Sequence, residues 1–386
     1  MQPTGVLETA KSTSPLKDLL KFGQSVWLDY IRRDLIETGE LKRLIDEDGL
    51  RGMTSNPSIF EKAIVESQYY SEAVKELDRR TDLDANGRYE ALAIRDIQDA
   101  ADVLRSVYQS SKRRDGYVSL EVSPLLARDT EKTLTEARRL WKAVGRENVM
   151  IKVPGTPEGI PAFQQLISEG INVNVTLLFA QEVYEEVAEA YVAGVAQLAA
   201  NGGDVSKIAS VASFFISRID TLVDSMLEQR LKTAKDDREK SDLQSLMGKI
   251  AIANGKETYQ TYLRIFSTDR WKKLADKGAQ TQRVLWASTS TKNPKYSDVM
   301  YVEELIGPDT VNTMPPATVD AYRDHGHPRQ TLTEDVESAN RVMEKLAKVG
   351  ISIQEVTNKL TEDGVHLFAE AFEKLLKAVE RTSKAQ

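Results

Sequence analysis

The chain has no cysteine among its 386 residues, which removes disulfides, thiolate nucleophiles, iron-sulfur clusters and cysteine-held zinc from consideration. It has three histidines, His325, His327 and His366, too few for a histidine-rich catalytic metal centre. His325-x-His327 has ligand spacing but lies in a polar run of Arg, Asp, Gly and Pro, so neither a metal nor a cofactor is expected. No apolar run approaches the ~20 residues of a membrane span, and the first residues lack the apolar core of a signal peptide. Positive charge is not in excess: the formal net charge is −7, which argues against nucleic acid or an anionic membrane as the main partner. There is no internal repeat, no Walker-type loop and no G-x-G-x-x-G after a strand. A cytoplasmic protein is expected, with self-association into a homo-oligomer left open.

What remains is ordinary for a globular protein, 41% hydrophobic and 29% charged, with one residue out of place. In N-V-M-I-K-V-P-G-T at 148–156, Lys152 interrupts an apolar β-type run that Pro154-Gly155 then stops. That puts an ammonium at the C-terminal end of what reads as a buried parallel strand. Desolvation penalises the charged form, so an amine so placed is expected to fall from ~10.4 toward neutrality and to become a nucleophile. The same lysine could also snorkel out of the strand end or pair with a carboxylate.

Around it the chain alternates. Strands are expected at 25–30, 49–56, 117–124, 148–154, 171–176, 208–215, 283–288 and 309–314, separated by helical segments. Between the second and third strands, the run 81–87 reads as a turn inside helical sequence. After Lys152 the spacing predicts a helix capped by Thr156, with Pro157 at its first position. Residues 1–15, rich in Ser, Thr and Pro, read as a frayed N-terminal segment. The rest, 16–386, reads as a single (β/α)8 barrel domain with a helical insertion at about 219–273 and helices at the C-terminus. In that fold the C-terminal strand ends form the active site, so Asp29, Asn56, Glu121, Lys152, Asn174, Thr176, Ser213 and Ser288 are expected to converge on one pocket. For any single Asn or Ser among them, a strand-end cap or turn residue is the better account; eight in register with the strand count is harder to explain that way.

T-S-N-P-S at 54–58, I-K-V-P-G-T at 151–156, G-I-N-V-N-V-T-L-L-F at 170–179 and S-F-F-I-S-R at 213–218 resemble the transaldolases of the pentose phosphate pathway. With W-A-S-T-S-T-K-N-P at 286–294 and N-T-M-P at 312–315, the resemblance covers nearly the whole chain and is to the longer bacterial branch. It implies sugar phosphate substrates and a lysine Schiff base, with Lys152 attacking the ketone of fructose 6-phosphate or sedoheptulose 7-phosphate. It further implies Asp29 as general acid and base, and Glu121 with Thr176 holding a catalytic water. Asn56, Asn174 and Ser213 would bind the dihydroxyacetone hydroxyls, Phe215 would line the pocket, and Arg218 would bind phosphate. A second phosphate arginine of the family is missing after the seventh strand. Ser288 fits the pattern there, and Lys292 is the candidate replacement. A protonated imine is itself an electron sink, so this chemistry needs no metal.

Two rivals stand beside this reading. Fructose 6-phosphate aldolases of the same superfamily tend to carry Gln where Glu121 stands and Tyr where Phe215 stands. A non-catalytic sugar-phosphate-binding barrel would have no use for a buried lysine.

Overall fold

The computed structural model describes residues 14–384 apart from Thr81. The expected fraying segment falls outside the described residues except for its end, where Pro15 opens the helix Pro15–Leu19. Eight parallel strands close into a barrel in sequence order: β1 Gln24–Asp29, β2 Gly52–Thr54, β3 Tyr117–Glu121, β4 Val149–Pro154, β5 Val173–Leu178, β6 Ser210–Phe215, β7 Arg283–Ala287 and β8 Thr310–Met314. The expected (β/α)8 architecture is present.

Capping accounts for two of the boundaries that differ from expectation. β2 is shorter than 49–56 because Gly49 is spent as the left-handed cap of the helix Glu40–Asp48 and Asn56 as the N-cap of Pro57–Glu66. The run 81–87 is not all turn: Asp84 accepts from the Gly87 N–H and starts the helix Ala85–Val103 inside it. Thr156 caps as expected: its carbonyl accepts from the Ile160 N–H at 3.0 Å and its hydroxyl from the Gly159 N–H at 3.0 Å. Its hydroxyl also donates to the Ala127 carbonyl at 2.6 Å, and the regular helix, Gly159–Ser168, follows a first turn through Pro157 and Glu158.

The bottom of the barrel is sealed by charge. Asp115, just before β3, meets Arg283 at 2.8 Å and Arg51 at 3.3 Å and accepts from Ser25 and the Trp27 indole. Burial opposes its ionisation, but Arg283 and these hydrogen bonds outweigh it and hold the carboxyl below the usual range. Above this layer β2 must carry glycine: a Cβ on Gly52 would stand 2.5 Å from the Trp27 ring.

At the other end, β5 is distorted. Its register shifts between Val175 and Leu178, and Leu177 takes a left-handed φ of 62°. The Leu177 side chain thereby reaches Gly364, where any Cβ would come within 2.9 Å of it. Gly364 belongs to the helix Ile353–Lys384, which packs on the helices Pro57–Glu66, Ala85–Val103 and Ser217–Leu231 and on β5. An Arg128–Glu362 ion pair ties it to the turn after β3. The stretch between β6 and β7 forms four helices, Ser217–Leu231, Asp237–Gln244, Ile250–Phe266 and Asp269–Ala275. Among the described residues no helix is long and apolar enough to cross a membrane.

Candidate active site

A cavity of about 400 Å³ opens at the C-terminal ends of the strands. Of the residues named from sequence, Asp29, Asn56, Lys152, Thr176, Ser213, Phe215, Arg218, Ser288 and Lys292 line it. Glu121 and Asn174 do not, and each stands one layer behind. Asn174 is fully buried, donating to Ser119 at 3.0 Å and accepting from Ser213 at 2.7 Å, so it orients the Ser213 hydroxyl rather than facing the cavity. Glu121 is the register partner of Lys152 across β3 and β4 and lies behind the amine.

Lys152 is 4% exposed, and its Nζ donates to the Ser55 carbonyl at 3.1 Å. The Phe368 ring covers it, with the centroid 5.8 Å from Nζ. Lys152 therefore lies between a carboxylate, a carbonyl and an aromatic face.

Asp29 accepts from Thr54 at 2.6 Å, and Thr54 contacts Thr313 at 2.8 Å, linking the ends of β1, β2 and β8. Burial raises the Asp29 carboxyl above its usual range, against the downward pull of Lys152, the Thr54 hydrogen bond, Arg218 and Lys292. Glu121 is raised by burial too, with Lys152 pulling the other way and Asp29 adding to the rise. Two carboxyls are thus kept ready to take up protons beside one amine. Thr176 Oγ1 is buried with no protein hydrogen-bond partner, a hydroxyl still available to a ligand.

The rim is cationic. Arg218 starts the helix after β6 and lies over the Phe215 ring at 5.1 Å. Burial lowers its affinity for the proton, with Asp29 opposing. Lys292 donates to Ser290 at 2.7 Å; burial and the Arg218 charge lower it, and Asp29 opposes. Ser288, at φ 56°, faces Ser217 at 3.0 Å and stitches the end of β7 to the start of the Arg218 helix. His325 ends the helix Pro316–His325 between Asp298 and Asp324, exposed and outside the cavity lining.

Sequence reasoning missed Thr54, Ser58, Lys62, Ser290, Thr313 and Phe368, all of which line the cavity. Thr54 and Ser58 lie inside the T-S-N-P-S motif and could have been found there. Phe368 carried only the signal of an apolar helix face.

A barrel with a polar, lysine-centred cavity at its C-terminal strand ends has the anatomy of a (β/α)8 enzyme. Residues 26–379 match the family profile described as transaldolase/fructose-6-phosphate aldolase. The chain is 49% identical over 374 residues to a transaldolase of Trichodesmium erythraeum, covering 96% of this chain and 98% of that protein. It is 48% identical over 372 residues to transaldolase 2 of Nostoc punctiforme, covering 96% and 97%. To a transaldolase of Thiobacillus denitrificans it is 46% identical over 360 residues, covering 93% and 98%. The chain belongs to the transaldolase/fructose-6-phosphate aldolase family.

Proposed function

We propose that the protein is a transaldolase that moves a dihydroxyacetone unit from fructose 6-phosphate or sedoheptulose 7-phosphate to erythrose 4-phosphate or glyceraldehyde 3-phosphate. The observation that carries this reading is the buried Lys152, set between Glu121 and Phe368 at the floor of a cavity whose rim bears Arg218 and Lys292.

Lys152 Nζ attacks the donor ketone, and loss of water from the carbinolamine gives the imine. Glu121, 3.3 Å from that nitrogen, and the free Thr176 hydroxyl are the groups placed to exchange protons with that water. Asp29 takes the proton of the C4 hydroxyl as the C3-C4 bond breaks, and the electron pair passes into the protonated imine to form an enamine. Its raised proton affinity suits a group that must return the proton to the next aldehyde. Ser213, held by Asn174, and Asn56, whose carbonyl oxygen already accepts from Ile59, are placed to bind the dihydroxyacetone hydroxyls. Arg218 and Lys292 at the rim meet the phosphate. The substrates so defined are sugar phosphates, and the reaction is assigned to the cytoplasm.

The family name joins two activities, so the deciding measurement is turnover of fructose 6-phosphate with and without erythrose 4-phosphate. Formation of sedoheptulose 7-phosphate only when the acceptor is present is expected. Steady release of free dihydroxyacetone without acceptor would assign the chain to the aldolase side instead.

A further inference from the structure

The segment after β7 carries Ser288, Ser290 and Lys292 to the cavity wall, and its other side faces two buried carboxylates. Asp220 and Asp224 stand one turn apart on the helix Ser217–Leu231, whose first turn holds Arg218. Asp220 accepts the Ala251 N–H at 2.8 Å and the Tyr301 hydroxyl at 3.0 Å. Asp224 repeats the pattern with the Gly248 N–H at 3.0 Å and the Tyr296 hydroxyl at 2.7 Å. Each carboxyl therefore joins the Arg218 helix to the start of the helix Ile250–Phe266 and to a tyrosine of the chain that follows Lys292. Lys292 lines both the main cavity and a recess of about 190 Å³ walled by Asp220, Asp224, Tyr296 and Tyr301.

Burying a carboxyl is costly, and apolar side chains would fill the same space more cheaply. Two of them, in successive turns of the helix that delivers Arg218, do something packing does not require. Arg218 and Lys292 are like charges on one cavity wall, and like charges repel. Asp29 offsets part of that repulsion, and holding the backbone beneath each cation keeps the two on the same cavity rim.

We propose that Asp220 and Asp224 are positioning residues for phosphate recognition: through Tyr301 and Tyr296 they fix the segment after β7 so that Lys292 stands next to Arg218 before substrate arrives. The proposal rests on reading the rim as a phosphate site. It adds that the site is pre-organised, so that the ordering cost of the loop is not charged to binding.

Tyr296→Phe and Tyr301→Phe each remove one hydroxyl and leave the ring, and neither residue lines the main cavity. Each is expected to raise the KM for fructose 6-phosphate about threefold to tenfold, the factor for partial loss of one charge-assisted hydrogen bond. Neither should change kcat or the efficiency toward unphosphorylated fructose. In a Lys292→Ala background the same substitutions should have no further effect on KM, because the residue they position is gone. A Tyr→Phe effect of undiminished size in that background overturns the proposal, as does an equal loss on phosphorylated and free sugar or no change in KM. A purely structural role would lower Tm and total activity without moving the ratio between the two sugars. Should one variant fail to fold, the other completes the cycle. A parent enzyme that does not turn over fructose 6-phosphate removes the functional reading itself, whereas an active parent without coupling removes only this proposal.

Discussion

Glu121 Oε2 lies 3.3 Å from Lys152 Nζ, yet the carboxylate oxygen has no aligned hydrogen-bond donor. The amine directs its hydrogen bond to the Ser55 carbonyl instead. The two are direct partners across β3 and β4, and the side chain of each is 5% exposed. A charge contact without directional bonding leaves both groups free to exchange protons with a third group that touches them, which a locked bidentate bridge would not.

Glu121→Gln keeps the shape and removes the proton acceptor. Turnover of fructose 6-phosphate is expected to fall by about 10²- to 10⁴-fold, the usual contribution of one positioned acid or base. Pre-steady-state rates of imine formation check it, and an unchanged rate would place the proton transfer elsewhere.

Lys152 should carry the covalent intermediate. Borohydride reduction in the presence of fructose 6-phosphate is expected to add a dihydroxyacetone-sized mass to the peptide containing Lys152 and to no other. Lys152→Arg should be inactive, since a guanidinium with a pKa above ~12 stays protonated and cannot attack a carbonyl.

Phe215 lies between Phe179, whose ring is 5.2 Å away, and Arg218. An apolar ring offers a hydrolytic water no partner, so Phe215→Tyr is predicted to raise release of free dihydroxyacetone relative to transfer. The product ratio with saturating acceptor measures this, and a fixed ratio would sink the idea.

Arg218→Ala should lose about one to two powers of ten in kcat/KM for fructose 6-phosphate, matching ~1.5 to 3 kcal/mol for a charge-assisted hydrogen bond. The loss on unphosphorylated fructose should be much smaller. Lys292→Ala should show the same selectivity with a smaller effect, because a lysine offers a point charge where the arginine offers a bidentate fork. Equal losses on both sugars would exclude either residue from the phosphate site.

Burial raises Asp220 to about 7, from ~3.9 when unfolded. Between those values the folded chain binds more protons than the unfolded one, so this group's contribution to stability is full below ~4 and is lost as pH rises through 7. Thermal unfolding at pH 5 and pH 8 should show a decline in the parent that is shallower in Asp220→Asn. Identical slopes would mean that Asp220 does not titrate in this window.

The strand ends were legible because a barrel turns a one-dimensional rhythm into a ring. A polar residue closing each apolar run must point at the same space as the others, which is how Asp29, Lys152, Thr176, Ser213 and Ser288 could be grouped. The same rhythm cannot tell the front of that ring from the layer behind it. Glu121 and Asn174 have the right spacing, but Lys152 and Ser213 stand in front of them. Lys62 and Phe368 were invisible for a different reason. Helical periodicity shows which face a residue occupies but not what that face meets, and both reach the cavity from helices outside the strand count.

The aromatic ring beside Lys152 belongs to the helix Ile353–Lys384, the last described element of the chain, while the last barrel strand ends at Met314. The ring that completes the reaction chamber is therefore supplied by the part of the chain that follows the barrel strands. A chain cut shortly after β8 keeps every strand and the lysine yet leaves the lysine without its aromatic neighbour. Loss of that helix would also strip its packing from three other helices and β5, so it should cost stability as well as the ring.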